Sequence, residues 1–235
     1  MTAHLFVAVF INTWRRRYPN HFCYESNPMK LLMQLTALYI FSTALVQASA
    51  MGDFRNFISS TQSGRADFTQ TVIDVKGKTT QQANGTLAFV RPGKFRWQYL
   101  KPAQLIVGDG KQVSFFDEDL NQVTIKKLEA AFASTPAALL AGKSEVEAAF
   151  TMVAGGDASA EKDGIAWVNA EPKSKDAGIE KVRLGFQKGQ LAVMELNDPF
   201  GNRTRIVFTK FERNPKIDAK EFIFVPPKGA DVVGQ

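Results

Sequence analysis

Three short stretches of this chain have spacings that could carry chemistry. Gly142-Lys143-Ser144 resembles the end of a phosphate-binding loop, in which backbone amides and a lysine cradle nucleotide phosphates. Ala137 stands where the first glycine of that loop must be, and a helical stretch precedes it where a strand is required. Asp117, Asp119 and Asn121 have the spacing of the first three calcium ligands of an EF-hand loop. Gln122 replaces its turn glycine and Leu128 its bidentate glutamate, so the segment reads as an ordinary hairpin. Ser159 and Lys162 form a Ser-x-x-Lys pair without the companion Ser-Asp-Asn or Lys-Thr-Gly motifs. His4, His21 and Cys23 all precede residue 50, which removes Ser–His and Cys–His pairs, zinc sites and disulfides from everything after it. A hydrolase using only carboxylates or serine stays open, because folding can assemble carboxylate pairs; no paired players stand out. No cofactor and no metal are expected.

What remains is apolar and aromatic: 15 of the 19 Phe fall in residues 51–235. That composition points to a protein that binds something greasy. The segment before it says where. Met29-Lys30 leads into an apolar run from Leu31 to Val46, then Gln47-Ala48-Ser49-Ala50. A positive start, a short apolar core and small residues at the minus-three and minus-one positions make a secretory signal peptide over 29–50, cut after Ala50. A membrane anchor is the other reading, against which stand the run's short length and its interruption by Gln34 and Thr36. Residues 1–28 carry a second apolar patch, Leu5 to Ile11, and Arg15-Arg16-Arg17. They read as an extension upstream of the true start at Met29, or as an unusually long targeting segment. Residues 51–235 form one domain in length, with 25 basic and 22 acidic residues, a net of +3. The cations are scattered, which gives no nucleic-acid footprint. Without an anchor cysteine, the mature chain is expected to be soluble and monomeric.

The elements that must position these residues are short runs with turn punctuation. A helix is expected over Asp53–Thr61, with Phe54, Phe57 and Ile58 on one face. Strands are expected at Ala66–Val75, Thr79–Arg91, Lys94–Leu100, Gln104–Val107, Gln112–Phe116 and Gln122–Ile125. Lys126–Phe150, rich in Ala, Leu and Glu, reads as two or three short helices, with Pro136 at a helix start. Strand patterns resume at Ala158–Lys162, Ile165–Glu171, Ile179–Phe186, Gln190–Asn197, Thr204–Glu212 and Glu221–Val225. Strands flank a helical insertion without βαβ alternation, which gives an α+β, mostly β domain built on one antiparallel sheet. Some strands are apolar on both sides: Leu191 and Val193 against Ala192, Met194 and Leu196, and Ile206 and Phe208 against Val207 and Phe211. Either helices and a curled edge cover the two faces, or a curved sheet encloses more apolar wall than the helices fill, leaving a ligand cavity.

Arg91-Pro92-Gly93-Lys94-Phe95-Arg96-Trp97, preceded by Gly85-Thr86-Leu87-Ala88-Phe89-Val90 and followed by Tyr99, carries a signature. Asp109-Gly110-Lys111, Ser134-Thr135-Pro136-Ala137-Ala138-Leu139-Leu140 and the closing Phe222-Ile223-Phe224-Val225-Pro226-Pro227-Lys228-Gly229 continue it in order. In these motifs the chain resembles the periplasmic outer-membrane lipoprotein carrier family, LolA. The resemblance implies an incomplete β-barrel with short helices as a lid over an apolar cavity. It implies a periplasmic carrier that makes and breaks no bond. Such a carrier accepts acylated lipoproteins from an inner-membrane ABC transporter and passes them to an outer-membrane receptor. A related lipid or glycolipid carrier with different cargo is the alternative on the same half-barrel. The resemblance assigns Arg91 to latch the sheet to backbone carbonyls of the lid within Ser134–Leu140; otherwise it is a solvent-facing arginine at a strand end. Phe89, Phe95, Trp97, Phe115, Phe116, Leu139 and Leu140 are candidates for the cavity wall or for plain core. Because the sequence ends at Gln235, the extra C-terminal strand of some family members is expected to be short or absent.

Overall fold

The computed structural model describes residues 50–132, 135–142, 144–155, 164–174 and 178–234. The expected strand at Ala158–Lys162, the Ser159/Lys162 pair and the segments 1–28 and 29–49 lie outside them. A helix, α1 (50–60), leads into the sheet strands β1 (Ser63–Ile73), β2 (Thr79–Val90), β3 (Lys94–Leu100), β4 (Ala103–Asp109), β5 (Gln112–Asp117) and β6 (Gln122–Lys127). Three short helices follow: α2 (Leu128–Phe132), α3 (Pro136–Ala141) and α4 (Ser144–Ala149). Then come β7 (Phe150–Ala154), β8 (Ala166–Pro172), β9 (Lys181–Gln187), β10 (Gln190–Asn197) and β11 (Arg203–Arg213). The chain closes with a 3₁₀ turn, Ala219–Phe222, and a last strand, β12 (Asp231–Gly234).

These strands form one 12-stranded sheet in the order β12-β6-β5-β4-β3-β2-β1-β11-β10-β9-β8-β7, antiparallel except where β12 joins β6. The chain meanders twice, and β1 pairing with β11 welds the two halves. The result is an open, curved sheet, an incomplete barrel with helices across one face. Turn chemistry sets the hairpins: Asp74, Asp109 and Asp198 each accept backbone N–H bonds from residues just downstream in their turns. Aromatic rings lie over glycines on neighbouring strands, in register. Phe89 faces Gly64, Phe68 faces Gly85, Phe95 faces Gly108 and Trp167 faces Gly185. A Cβ at Gly85 would come within 2.0 Å of the Gln98 carbonyl oxygen, so that close approach requires glycine.

On the inner face Phe68, Leu87, Phe89, Phe95, Trp97, Ile106, Leu184, Phe186, Met194 and Ile206 form a continuous core with Phe54, Phe57, Leu139 and Leu140 of the helices. Each such side chain contributes roughly 1.5–3 kcal/mol on burial, which explains stability without disulfides.

Two bulges correct the expected sidedness of the apolar strands. One extra residue between Leu191 and Val193 brings Leu191 into the core with Met194 and Leu196 and leaves Val193 on the other face. Asp67 and Arg65 pair with Thr209 and Glu212, which leaves one extra residue in β11; Lys210 sits there with φ 50. That returns Phe211 to the inner side, against Phe57, Phe89 and Phe208.

Two further expectations are corrected. The helical stretch ends at Ala149, and Phe150 begins β7 by pairing with Pro172 of β8. Glu221–Val225 is no strand: Ala219–Phe222 is a 3₁₀ turn, and Pro226 and Pro227 lack the N–H groups that a ladder needs. Phe222 is instead buried against the outer face of β3 and β4, and the Phe224 ring stacks on Phe116 at 5.8 Å. The C-terminal strand, short as expected, pairs with β6 over Asp231–Gly234.

Candidate functional site

Arg91 sits at the end of β2, where the β2–β3 turn meets the helices. It is buried, at 6% exposure. Its Nε donates to the Leu140 carbonyl oxygen of α3 at 3.1 Å. Its Nη1 donates to the carbonyls of Phe57 and Ile58, each at 3.2 Å, and to that of Thr61. The Ile58 and Leu140 oxygens lie in the last turns of their helices, where carbonyls run out of intrahelical donors, Thr61 follows the end of α1, and the Phe57 oxygen also accepts the Thr61 N–H at 3.2 Å. The guanidinium lies 4.9 Å from the Phe57 ring centroid and 5.2 Å from that of Phe89. Among the described residues no carboxylate pairs with it. Burial, and then the nearby charge of Arg213, lowers its pKa to about 10, so it remains a cation at neutral pH. One side chain thus bonds the sheet to both α1 and α3.

A second contact lies beside it. The Gly93 N–H donates to the Ala141 carbonyl oxygen at 3.0 Å, and Gly93 has φ 71, open to glycine. The two exposed carbonyls at the end of α3 are therefore met by the β2–β3 turn, one by a side chain and one by backbone. The same C-terminal end of α1 is also tied to the end of β11. Arg213 donates from Nε to Thr61 Oγ1 at 3.0 Å and from Nη2 to Ser60 Oγ at 2.6 Å, and Asn214 Nδ2 donates to the Ser60 carbonyl at 2.9 Å.

Between the helices and the sheet lies an apolar cavity of about 10 Å³, lined by Phe54, Phe57, Ile58, Leu139, Leu140, Val146, Ala170, Val182 and Leu184. A ligand pocket for an organic molecule occupies roughly 300–1,000 Å³, so the helices fill the inner face in this state. The apolar wall expected from the sequence is present, and its volume is taken up by side chains of α1 and α3.

Phe89, Phe95 and Trp97 lie on the inner face and are almost fully buried; Phe115 packs beside them, partly buried. Leu139 and Leu140 line the small cavity. Phe116 is the exception. It pairs with Leu105 and Val123 on the outer face, under Phe224, because neighbouring residues of a strand point to opposite sides. Phe116 is therefore not part of the inner wall. Residues of α1 and of β8 and β9 were not foreseen at this site. The signal for α1 was present in the helical spacing of Phe54, Phe57 and Ile58; Ala170, Val182 and Leu184 carry no local mark. Tyr99 adds one polar group to the aromatic wall, donating to Gln70 Oε1 at 3.0 Å. Burial raises its pKa, against hydrogen bonds with Trp97 and Gln70.

On the outer face, Glu195 is buried at 3% exposure and bonds Arg183 of β9 and Arg205 of β11, the residues opposite it in the ladder. Arg183 also lies 4.4 Å over the Trp167 ring. These ion pairs tie three strands together, and none of the three residues lines the small inner cavity.

Asp117–Asn121 is the β5–β6 hairpin, with Asn121 at φ 47. Gly142 caps the end of α3 and Ser144 begins α4, a helix-to-helix setting that is wrong for a phosphate loop. Among the described residues no cluster of His, Cys, Asp and Glu is arranged to hold a metal ion, and no helix is long and apolar enough to cross a membrane.

Residues 59–225 match the family described as outer membrane lipoprotein carrier protein LolA. An outer-membrane lipoprotein carrier protein of Dechloromonas aromatica is 48% identical over 192 residues, 81% of this chain and 90% of that protein. One from Methylobacillus flagellatus is 45% identical over 191 residues, covering 81% and 91%. One from Chromobacterium violaceum is 44% identical over 207 residues, covering 88% and 98%. The matched span takes in the arginine turn and the short helices that follow β6, and on the strength of that match and of these relatives the chain belongs to the LolA family of outer-membrane lipoprotein carrier proteins.

Proposed function

We propose that this protein is a periplasmic carrier that shields the acyl chains of lipoproteins on the inner face of its sheet. The observation that carries the reading is a buried cation bonding two helices to the rim of an apolar wall that those helices fill. Each acyl methylene is worth roughly 0.8 kcal/mol on burial, so such chains cannot cross water unshielded. A carrier must bury them and still let them go. Lifting α3 exposes Phe89, Phe95, Trp97 and Phe115 to cargo, and reclosing competes with it. In this reading Arg91 is the latch: it favours the closed state through Leu140 and the end of α1, so that the lipid-loaded state remains ready to release. The protein needs no catalytic group for this role and is read as a non-enzyme.

Residues 29–50 act as the export signal and 51–235 as the carrier domain, with 1–28 upstream of the functional start. The donor is an inner-membrane lipoprotein-releasing ABC transporter and the acceptor an outer-membrane lipoprotein receptor; the carrier works as a monomer. The test is mass spectrometry of what the protein retains when purified from the periplasm. Triacylated lipoprotein is expected; phospholipid or glycolipid in its place overturns the cargo. The latch is tested separately with Arg91→Leu, which is expected to load lipoprotein and hand it on poorly. Release by the variant at the parent's rate removes the latch role.

A further inference from the structure

The antiparallel meander places the β1–β2, β3–β4 and β10–β11 turns at one end of the sheet, on consecutive hairpins. That end is opposite the Arg91 turn. Each of these three tips exposes one large apolar side chain: Val75 at 67%, Leu100 at 53% and Phe200 at 83%. Each also carries an exposed cation close in sequence: Lys76 and Lys78 beside Val75, Lys101 beside Leu100, and Arg203 beside Phe200. Two carboxylates, Asp74 and Asp198, lie in the same tips and keep their charge, so the four cations leave a positive balance across the three tips together. Asp74 accepts the N–H groups of Lys76 and Lys78, and Asp198 accepts those of Phe200 and Asn202 and the Asn202 side-chain amide. The β10–β11 and β1–β2 tips touch: a Cβ at Gly201 would meet Val75 Cγ1 at 2.7 Å. The next hairpin along, β5–β6, differs. It also exposes an apolar residue, Leu120, but among Asp117, Glu118 and Asp119.

We propose that the three cationic tips form a docking surface for a bilayer carrying anionic phospholipid. The apolar side chains stand on protruding turns roughly 10 Å apart, the spacing of successive two-stranded hairpins. A folded partner needs a separate pocket for each such knob, whereas a lipid interface takes isolated apolar side chains flanked by Lys and Arg at headgroup depth. Acidic β5–β6 bounds the surface and sets its orientation, because it is repelled by the same headgroups. This surface is on the opposite end from the Arg91 latch and does not depend on what cargo fills the inner face.

The test uses the exported protein, residues 51–235, without cargo; this segment contains no cysteine, so one engineered thiol takes an environment-sensitive nitrobenzoxadiazole label. With the label on Phe200→Cys, vesicles of phosphatidylcholine mixed with phosphatidylglycerol are expected to shift emission to the blue, and vesicles of phosphatidylcholine alone are not. With the label on Leu120→Cys, neither vesicle is expected to change it. Unlabelled protein is expected to float with the anionic vesicles. Replacing Lys76, Lys101 and Arg203 together by Gln weakens that partitioning by on the order of 100-fold. These are exposed turn positions, and circular dichroism of each variant checks that the sheet is intact. Flotation unchanged by the triple replacement, equal shifts at both label positions, or no response to anionic vesicles overturns the proposal. Recruitment by an acidic protein domain, with no response to lipid, overturns it in favour of a protein partner.

Discussion

Arg91 is a buried cation with no carboxylate partner among the described residues, a costly arrangement unless its donors are used. Here Nε and Nη1 are directed at backbone carbonyls at the ends of α1 and α3, which sets a contact between two helices and a sheet against the cost, while Nη2 is buried without a partner among the described residues. Replacing it with Leu leaves those carbonyls without their donor, and the urea midpoint is expected to fall by an amount equivalent to roughly 1–3 kcal/mol. The pH dependence of that loss is the sharper measurement. Burial lowers the folded-state pKa from the ordinary guanidinium range to about 10, so the folded protein holds this proton less tightly than the unfolded chain. Burial of the charge therefore costs stability at every pH below about 10, and the cost is relieved only as pH rises above about 10 toward the ordinary arginine range. Between roughly pH 6 and 9 the difference between parent and Arg91→Leu should be flat. A difference that varies across that range would assign the contact to some other titrating group. At this scale the sequence was informative where residue types are rare. The Arg91 motif is legible, whereas Phe115 and Phe116 look alike until the register puts one inside and the other out.

Strands and turns were legible because their boundaries are written locally. Lys94–Leu100 and Gln190–Asn197 have the bounds read from the sequence, each flanked by turn residues. Features settled by pairing were not. The bulges at Ala192 and Lys210 answer to the partner strand, and β7 is a strand because Phe150–Ala154 finds the edge of β8. The same dependence makes the cross-strand glycines vulnerable. Gly85→Ala drives a methyl group into the Gln98 backbone and the Phe68 ring, where backbone cannot give way. The expected loss is roughly 1–3 kcal/mol, at the upper end of the range for overpacking, measured by urea denaturation. A neutral outcome would mean that β2 and β3 are spaced more widely than the ladder shows. Glu195 offers a contrasting case on the outer face. Glu195→Gln leaves Arg183 and Arg205 without the carboxylate they share, and since both arginines reach solvent the loss should be about 2 kcal/mol, less than for a fully enclosed pair. The thermal midpoint of that variant is expected to fall while lipoprotein loading stays at the parent's level, because these residues do not line the inner cavity.

Across the whole molecule, the sheet is continuous and heavily paired, and the helices are short and attached at few points. α3 is held to the β2–β3 turn by the bonds of Arg91 and Gly93, while α1 is additionally fixed to β11 through Arg213 and Asn214. Opening should therefore begin at α3, with α1 staying near the sheet edge. The small residual cavity means that no acyl chain enters without that movement. Two backbone amides of the same turn separate the possibilities. The Gly93 N–H bonds the lid, at Ala141, while the Arg91 N–H bonds Gln62, next to β1, at 2.8 Å. On loading with lipoprotein, hydrogen exchange at Gly93 is expected to speed up as α3 lifts, and exchange at Arg91 is expected to stay slow. The β1–β2 and β1–β11 ladders should keep their protection throughout. If cargo binds and Gly93 remains protected, the acyl chains lodge somewhere other than beneath α3; if both amides and the ladders exchange faster together, cargo is accommodated by loosening the sheet itself.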